Sequence, residues 1–307
     1  MTTMSKRTGD KATDDRVRSY PDGTFAWVNA DQRENGVYEG VPAKRYHSVD
    51  RCSQSRLSRL KRSPAHAKHA MESEGGSPTR AQRVGTATHM AVLEPEQFTT
   101  QKALDGKWFC GKHDTDPAED LSGVHAGLMV SDEDRDRILR MRDAVAEHRA
   151  AQAMLMNGGH AELSVLFNHV LNPKDGEPTR ELPCKARLDY YTPGGPLVDL
   201  KTTQNAAPKA FQREIWERGY YRQLAFYRYA LHGRGFGVGP AVIIAAEKWP
   251  PYAVAVYELA ESALKAGRHE VRNLLPRYAE CERTGQWPAY PEEVQELELP
   301  HWAWDKL

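Results

Sequence analysis

Residues 183–203 read PCKARLDYYTPGGPLVDLKTT, and the fold turns on them. The runs 183–192 and 196–203 have the composition of strands, and Pro193-Gly194-Gly195 between them supplies a turn. The stretch predicts a β-hairpin. Asp189 and Asp199 lie symmetrically about Gly194, so a turn centred there sets them opposite one another. Opposed side chains have Cβ atoms about 4.5–5.5 Å apart. Two carboxylates at that spacing repel by roughly 3 kcal/mol at an effective dielectric near 20. A cation between them removes the penalty. Lys201 lies two residues beyond Asp199 and emerges on the same face, which Arg187 shares on the other strand.

Two acids and a lysine on one face suit a hard cation. Mg2+ takes one or two carboxylates, waters and a substrate phosphate. A metal-bound water beside Lys201 can be oriented and deprotonated for in-line attack on phosphorus. The competing reading is a solvent-facing hairpin in which Lys201 and Arg187 merely neutralise the acids. Leu188, Leu197, Val198 and Leu200 weigh against it: they make the strands half-buried, and buried charges need partners.

Working outward, 208–231 is helical with a break near Gly219, and 238–248 and 252–259 are strands. A long helix follows over 261–283, and then a Trp/Pro-rich tail whose Trp287, Trp302, Trp304 and His301 suit core or interface packing. The aromatic helix 216–229 offers rings that can stack on bases, although most suit the core. Upstream, 161–171 predicts a strand. Ser131 starts a helix that runs to about Met156 with Ile138, Leu139, Met141, Val145 and Ala146 as its apolar stripe. Residues 96–131 are expected to be irregular, an insertion or lid. A helix covers Thr79 to Leu93 and stops at Glu94-Pro95; Ser63-Pro64 is a cap with a first-turn proline. A short basic helix runs from Ser53 to about Leu60 with Leu57 and Leu60 on one face. Residues 1–35 are polar, lack periodicity and are expected to be disordered; 36–307 is expected to form a single domain. Helices followed by a mixed sheet with flanking helices make the fold class α/β or α+β.

The chain has 307 residues, 40% of them hydrophobic, which suffices for a sizeable core and excludes a disordered chain. It contains no apolar run of the roughly 18 residues a membrane span needs, and its opening residues lack the apolar run of a secretory signal. Cys52, Cys110, Cys184 and Cys281 are widely spaced, which excludes a zinc ribbon or a clustered iron–sulfur motif and makes a reducing cytoplasm the expected setting. The 42 basic and 42 acidic residues cancel but are segregated. Residues 43–70 carry eight Lys/Arg against Asp50 alone; residues 114–136 carry eight acids against Arg135 alone. The acidic stretch suits a solvated loop, a lid or a subunit contact. In the basic stretch, Ser53, Ser55, Arg56, Arg59 and Arg62 can meet a DNA end or backbone phosphate; a solvated basic helix face is the alternative.

Other residues point at the hairpin. His89 lies in RVGTATHMAVLEP, where the small Gly85, Thr86 and Ala87 admit a close neighbour, and imidazole is a usable metal ligand. Glu162 is a third acid at the start of a strand. Gln223 and Tyr227 share a helix face and can orient a phosphate or a water. A packed core histidine, an edge-strand charge and ordinary helix packing are the respective alternatives.

The order His89, Glu162, Asp189, Asp199-x-Lys201, Gln223-x-x-x-Tyr227 resembles the PD-(D/E)XK nuclease superfamily, RecB and lambda-exonuclease branch. More narrowly, YHSVDRCSQSRLSRLKRSPAHAKHA, GTATHMAVLEPEQF, CKARLDYY, LVDLKTTQNAAPKAFQREIWERGYYRQLAFY and EKWPPYAVAVYEL resemble the RecE-type (exonuclease eight) phage and prophage group over about residues 37–304. Val198 stands where the motif's proline would be, and that proline carries no chemistry. The resemblance implies a restriction-endonuclease-like fold, a central mixed sheet flanked by helices with an N-terminal helical segment. It implies that Asp189, Asp199, His89 and the Leu200 carbonyl bind the catalytic metal, Mg2+ with Mn2+ as a substitute. Lys201 would activate or position the water, Glu162 would support the metal or a water, and Gln223 and Tyr227 would complete the site. The implied activity is a 5′→3′ exodeoxyribonuclease on linear double-stranded DNA ends that serves single-strand-annealing recombination. It would work as a ring-shaped homo-oligomer, a trimer or tetramer, with a RecT-like annealing partner, in a bacterial host's cytoplasm. A non-catalytic member that binds DNA ends or a protein, and a structure-specific endonuclease, remain the alternatives.

Overall fold

The computed structural model describes residues 35–73, 78–103, 105–112, 128–155, 158–171, 179–299 and 304. In chain order the elements are β1 (Gly36–Tyr38), α1 (Ala43–Ser48), β2 (Cys52–Ser53), α2 (Gln54–Arg62), α3 (Pro64–Glu72), α4 (Arg80–Leu93), β3 (Phe98–Lys102), β4 (Trp108–Lys112), β5 (Met129–Val130), α5 (Asp132–Glu147), α6 (Arg149–Leu155), β6 (His160–Leu171), β7 (Arg180–Tyr191), β8 (Leu197–Thr203), α7 (Pro208–Arg218), α8 (Tyr220–His232), β9 (Ala241–Glu247), β10 (Val254–Glu258) and α9 (Glu261–Thr284).

Hydroxyl side chains start four of the helices. Ser53, Ser63, Thr79 and Ser131 cap α2, α3, α4 and α5 by accepting backbone N–H groups that lack an intrahelical partner. At Thr79 the cap is reciprocal, because Gln82 reaches back to the Thr79 N–H. Gly219, at φ 71°, separates α7 from α8 at the expected break. The helix expected to run from Ser131 to about Met156 instead divides at His148, whose extended backbone turns the chain between α5 and α6.

The main sheet runs in the order β1-β6-β7-β8-β9-β10, and β2 adds to β7 in parallel as a seventh strand. All other neighbours are antiparallel except β8 and β9. One face packs on α2, α8 and α9 through Leu57, Leu60, Leu163, Leu188, Phe226 and Leu275. The other packs on α4, α5 and α6 through Leu93, Val145, Ala151, Val198, Leu200 and Ile244. The mixed sheet between helical layers is the expected α/β class.

The expected irregular stretch 96–131 is partly ordered. β3, β4 and β5 form a small antiparallel sheet. Phe98, Cys110 and Val130 seal it against Val84 and Ala91 of α4 and Ile138 and Met141 of α5. Burial of Phe98, Phe109, Cys110 and Val130 holds these short strands in place. The acidic stretch falls mostly on residues 113–127, outside the described residues; Asp132–Asp136 form the first turn of α5. The segment expected to be disordered lies outside the described residues except for Asn35. So do His301 and Trp302; Trp287 packs edge-on against Tyr278, whereas Trp304 is exposed. All four cysteines are buried and free. No helix among the described residues is long and apolar enough to cross a membrane.

Two glycines in helices behave differently. A Cβ at Gly267 of α9 would lie 2.5 Å from the Tyr221 carbonyl of α8 and 2.8 Å from Ala225 Cβ, so α8 and α9 cross where only glycine fits. A Cβ at Gly85 would meet only Thr202 Oγ1, at 4.0 Å; α4 passes near β8 there without needing glycine. Gly267→Ala is expected to lower stability by ~1–3 kcal/mol. Gly85→Ala is expected to leave it unchanged or raise it by up to ~1 kcal/mol through helix propensity. Urea denaturation of the two variants checks both.

Candidate active site

The site lies where β7 and β8 part. Their ladder holds only Tyr191↔Leu197 and Tyr190↔Val198. The next step in that register faces Asp189 with Asp199, as the hairpin spacing predicts. The ladder bond is replaced there: Asp189 Oδ2 accepts the Leu200 N–H at 2.8 Å. Further along, β7 gives the same edge to β2, at Cys184 and Lys185. The fork between β7 and β8 is therefore open at the acids.

On the other side of β7, Ala161 pairs with Tyr190 and Leu163 with Leu188, so Glu162 stands across from Asp189 between these two pairs. Glu162 has φ 52°, an uncommon backbone for a non-glycine residue. The consequence is a crease. Tyr190 and Ala161 pack on the α4–α6 side, while Leu188 and Leu163, two residues away, pack on the α8–α9 side. A regular strand would keep such residues on one face. The crease and the fork coincide, and Glu162, Asp189 and Asp199 stand in line across three strands at that point.

Helices complete the arrangement. His89 of α4 brings Nδ1 to 3.5 Å from Asp189 Oδ2. Lys201 forms a buried ion pair with Asp199 Oδ2 and sits 4.9 Å from the Tyr220 ring centre. Gln223 Nε2 donates to Asp199 Oδ1 and to Tyr227 Oη, each at 3.0 Å. Arg187 Nε donates to Glu162 Oε2. All the expected catalytic side chains thus converge.

Burial sets the electrostatics. It raises both Asp189 and Asp199 to about 6 against the attraction of Lys201. The nearby acids add to the rise: Glu162 on Asp189, and Asp189 on Asp199. Burial followed by the Lys201 charge lowers His89, which favours neutral imidazole with a lone pair to give. For Lys201 burial acts downward, but the charges of Asp199 and Asp189 outweigh it and the ammonium is raised. Burial, then the two aspartates, raises Tyr227 well above its ordinary value, so its hydroxyl stays protonated as a donor.

The donor set fits a divalent cation. Ligand atoms of His89, Glu162 and Asp189 all lie within 4.8 Å of one another. The buried acids are held short of full charge compensation, the condition a hard cation relieves. Glu162, expected in a supporting role, belongs to this converging group. Asp199, expected as a direct ligand, stands beside the group, paired with Lys201 and accepting from Gln223.

The residues expected at DNA divide into two sets. Ser53 is the α2 cap and its hydroxyl meets Ser55 Oγ at 2.9 Å. Arg56 is turned inward and donates to Asp50 at 2.7 Å and Tyr278 at 3.2 Å. Ser55, Arg59 and Arg62 are exposed. Sequence reasoning missed Tyr220 and Tyr46. The Tyr46 ring lies 5.5 Å from the Arg187 guanidinium, and nothing in its local sequence marks it. Tyr220 lies in the aromatic helix 216–229, where nothing distinguishes it from the rings that suit the core.

A creased mixed sheet that presents aligned acids and a lysine at a strand fork defines a PD-(D/E)XK-like protein. The chain belongs to the family described as a PDDEXK-like domain of unknown function (DUF3799), matched over residues 53–300. It is similar in fold to the crystal structure of a “Putative exonuclease” from Eubacterium rectale, with a TM-score of 0.54 and 16% identity over 87% of this chain and 97% of that one. The crystal structure of SSO0001 overlaps with a TM-score of 0.26 and 12% identity, over 75% of this chain and 91% of that one. No curated protein matches.

The raised aspartates make stability depend on pH. Groups whose folded pKa lies above the unfolded value stabilise the fold below the unfolded pKa and lose that contribution as pH rises through the folded one. Here the window runs from the ordinary aspartate value, about 3.8, to about 6. In the cation-free protein, Asp199→Asn is expected to be more favourable relative to wild type at pH 7 than at pH 4. Urea midpoints of both proteins at the two pH values check this; an equal difference at both contradicts it.

Proposed function

We propose that this protein is a divalent-cation-dependent deoxyribonuclease that hydrolyses phosphodiesters from the ends of linear duplex DNA. The observation that carries the reading is the alignment of Glu162, Asp189 and Asp199 at the fork, with His89 and Lys201 against them. His89, Glu162 and Asp189, with Asp199 and the Leu200 carbonyl beside them, would hold Mg2+ or Mn2+. When bound, the cation supplies Lewis-acid polarisation of a phosphoryl oxygen and a more acidic water.

The chain's own residues supply the rest. Lys201 presents an ammonium to the attacking water or to a non-bridging oxygen, held in place by Asp199 and Tyr220. Gln223 fixes Asp199, and Tyr227 fixes Gln223. In the reaction a water oxygen bonds phosphorus in line, the water proton passes to solvent or a neighbouring base, and the P–O3′ bond breaks with its electron pair going to O3′, which takes a proton from solvent water, leaving a 3′-hydroxyl and a 5′-phosphate. Ser55, Arg59 and Arg62, at and along α2, are suited to the backbone of an incoming end.

The narrower reading follows the RecE-type resemblance. It is 5′→3′ polarity, a ring-shaped homo-oligomer enclosing DNA, a RecT-like annealing partner, and service in recombination within a bacterial cytoplasm. A ring reconciles a net charge of zero with DNA binding if its basic faces turn inward.

The test is nucleotide release from linear and covalently closed duplex with Mg2+. Wild type is expected to degrade the linear form only. Lys201→Ala is expected to be about 10²–10⁴-fold slower, as for loss of a group that moves or orients a proton. Undiminished activity in Lys201→Ala contradicts the mechanism, and cleavage of closed circles makes the protein an endonuclease.

A further inference from the structure

Arg187 stands beside the acidic cluster with a donor left over. Its Nε bonds Glu162, and its guanidinium lies 5.5 Å from the Tyr46 ring centre. Its Nη1 is buried and has no hydrogen-bond partner among the described residues. Leaving a buried charged donor unmatched is costly, so such a donor points to a partner that arrives later.

Glu162 is claimed twice. One oxygen takes Arg187, and the same carboxylate belongs to the group that converges with His89 and Asp189. A divalent cation in that group repels a guanidinium next to it and competes for the charge that holds Arg187. The charge balance points the same way. With Glu162, Asp189 and Asp199 ionised against Lys201 and Arg187, the cluster is negative by one. A divalent cation makes it positive by one, and a single phosphodiester restores neutrality. A guanidinium fork is the side chain best shaped to take phosphate oxygens.

We infer that Arg187 exchanges partners: it neutralises Glu162 in the cation-free protein and takes a non-bridging oxygen of a DNA phosphate once Glu162 serves the cation. The inference rests on the nuclease reading and assigns the residue that couples cation loading to substrate binding. The exchange makes Arg187 a competitor of the cation and an ally of the DNA, so its removal moves the two affinities in opposite directions. A residue that merely props up Glu162 moves them together.

The test uses full-length Arg187→Gln and Arg187→Lys. Mn2+ alone is titrated by calorimetry. Binding of a fluorescent linear duplex is followed by anisotropy with Ca2+ in place of Mg2+. Arg187→Gln is expected to bind Mn2+ about tenfold more tightly and the duplex about tenfold or more weakly, the size of a charge-assisted hydrogen bond. Arg187→Lys keeps the charge and loses the fork. It is expected to bind Mn2+ as wild type does and the duplex at an intermediate strength; it decides the matter alone if Arg187→Gln does not fold. Mn2+ and duplex affinities that fall together, or duplex affinity unchanged in either variant, overturn the inference while leaving the nuclease reading intact. A wild-type protein that binds no Mn2+ overturns the nuclease reading and the inference with it.

Discussion

Three carboxylates in line across three neighbouring strands are a standing electrostatic load, and the local structure is arranged around it. Asp199 is wholly buried, and Asp189 nearly so. Each would be cheaper protonated, which is why burial lifts both to about 6. The protein offsets part of the load with Lys201 on Asp199, Arg187 on Glu162, and the Leu200 N–H on Asp189. What remains is an affinity for positive charge, located where a phosphate would need it.

The backbone irregularities follow from the same constraint. A regular antiparallel pairing would commit the Leu200 N–H to the ladder and leave Asp189 without it. Opening the fork gives that donor to the carboxylate. The positive φ of Glu162 turns the strands over, so that apolar neighbours on either side reach opposite cores while the acids stay at the crease. Strain kept at one residue by a well-packed surround is typical of functional positions. β2 then occupies the edge that β8 vacates, and it carries α2 to the site's neighbourhood. The rigid α8, pinned to α9 at Gly267, holds Gln223 and Tyr227 against Asp199.

Much of this was legible in the sequence because spacing encodes it. The symmetry of Asp189 and Asp199 about Gly194 foretold their opposition, and i+2 spacing foretold the Lys201 pairing. Ser63-Pro64, Thr79 and Gly219 marked helix ends for simple steric and hydrogen-bonding reasons. Other features had no local signature. Glutamate carries no preference for the positive φ found at Glu162. Glu162's place in the converging ligand group, and the engagement of Asp199 by Gln223, depend on the depth at which α4 and α8 cross the sheet. Tyr46 reaches Arg187, and Arg56 turns in to Tyr278, through long-range packing. The small sheet of β3, β4 and β5 was hidden because its strands are short and their pairing spans residues rich in charge.

The central claim is that a divalent cation sits at the crease. Anomalous X-ray scattering from a crystal soaked in Mn2+ tests it most directly. The account predicts a peak about 2.1–2.3 Å from Asp189, His89 and at least one further acid of the row, with Glu162 turned away from Arg187 if it is that acid. No peak there, with Lys201 and Arg187 still paired to their acids at saturating Mn2+, would contradict it.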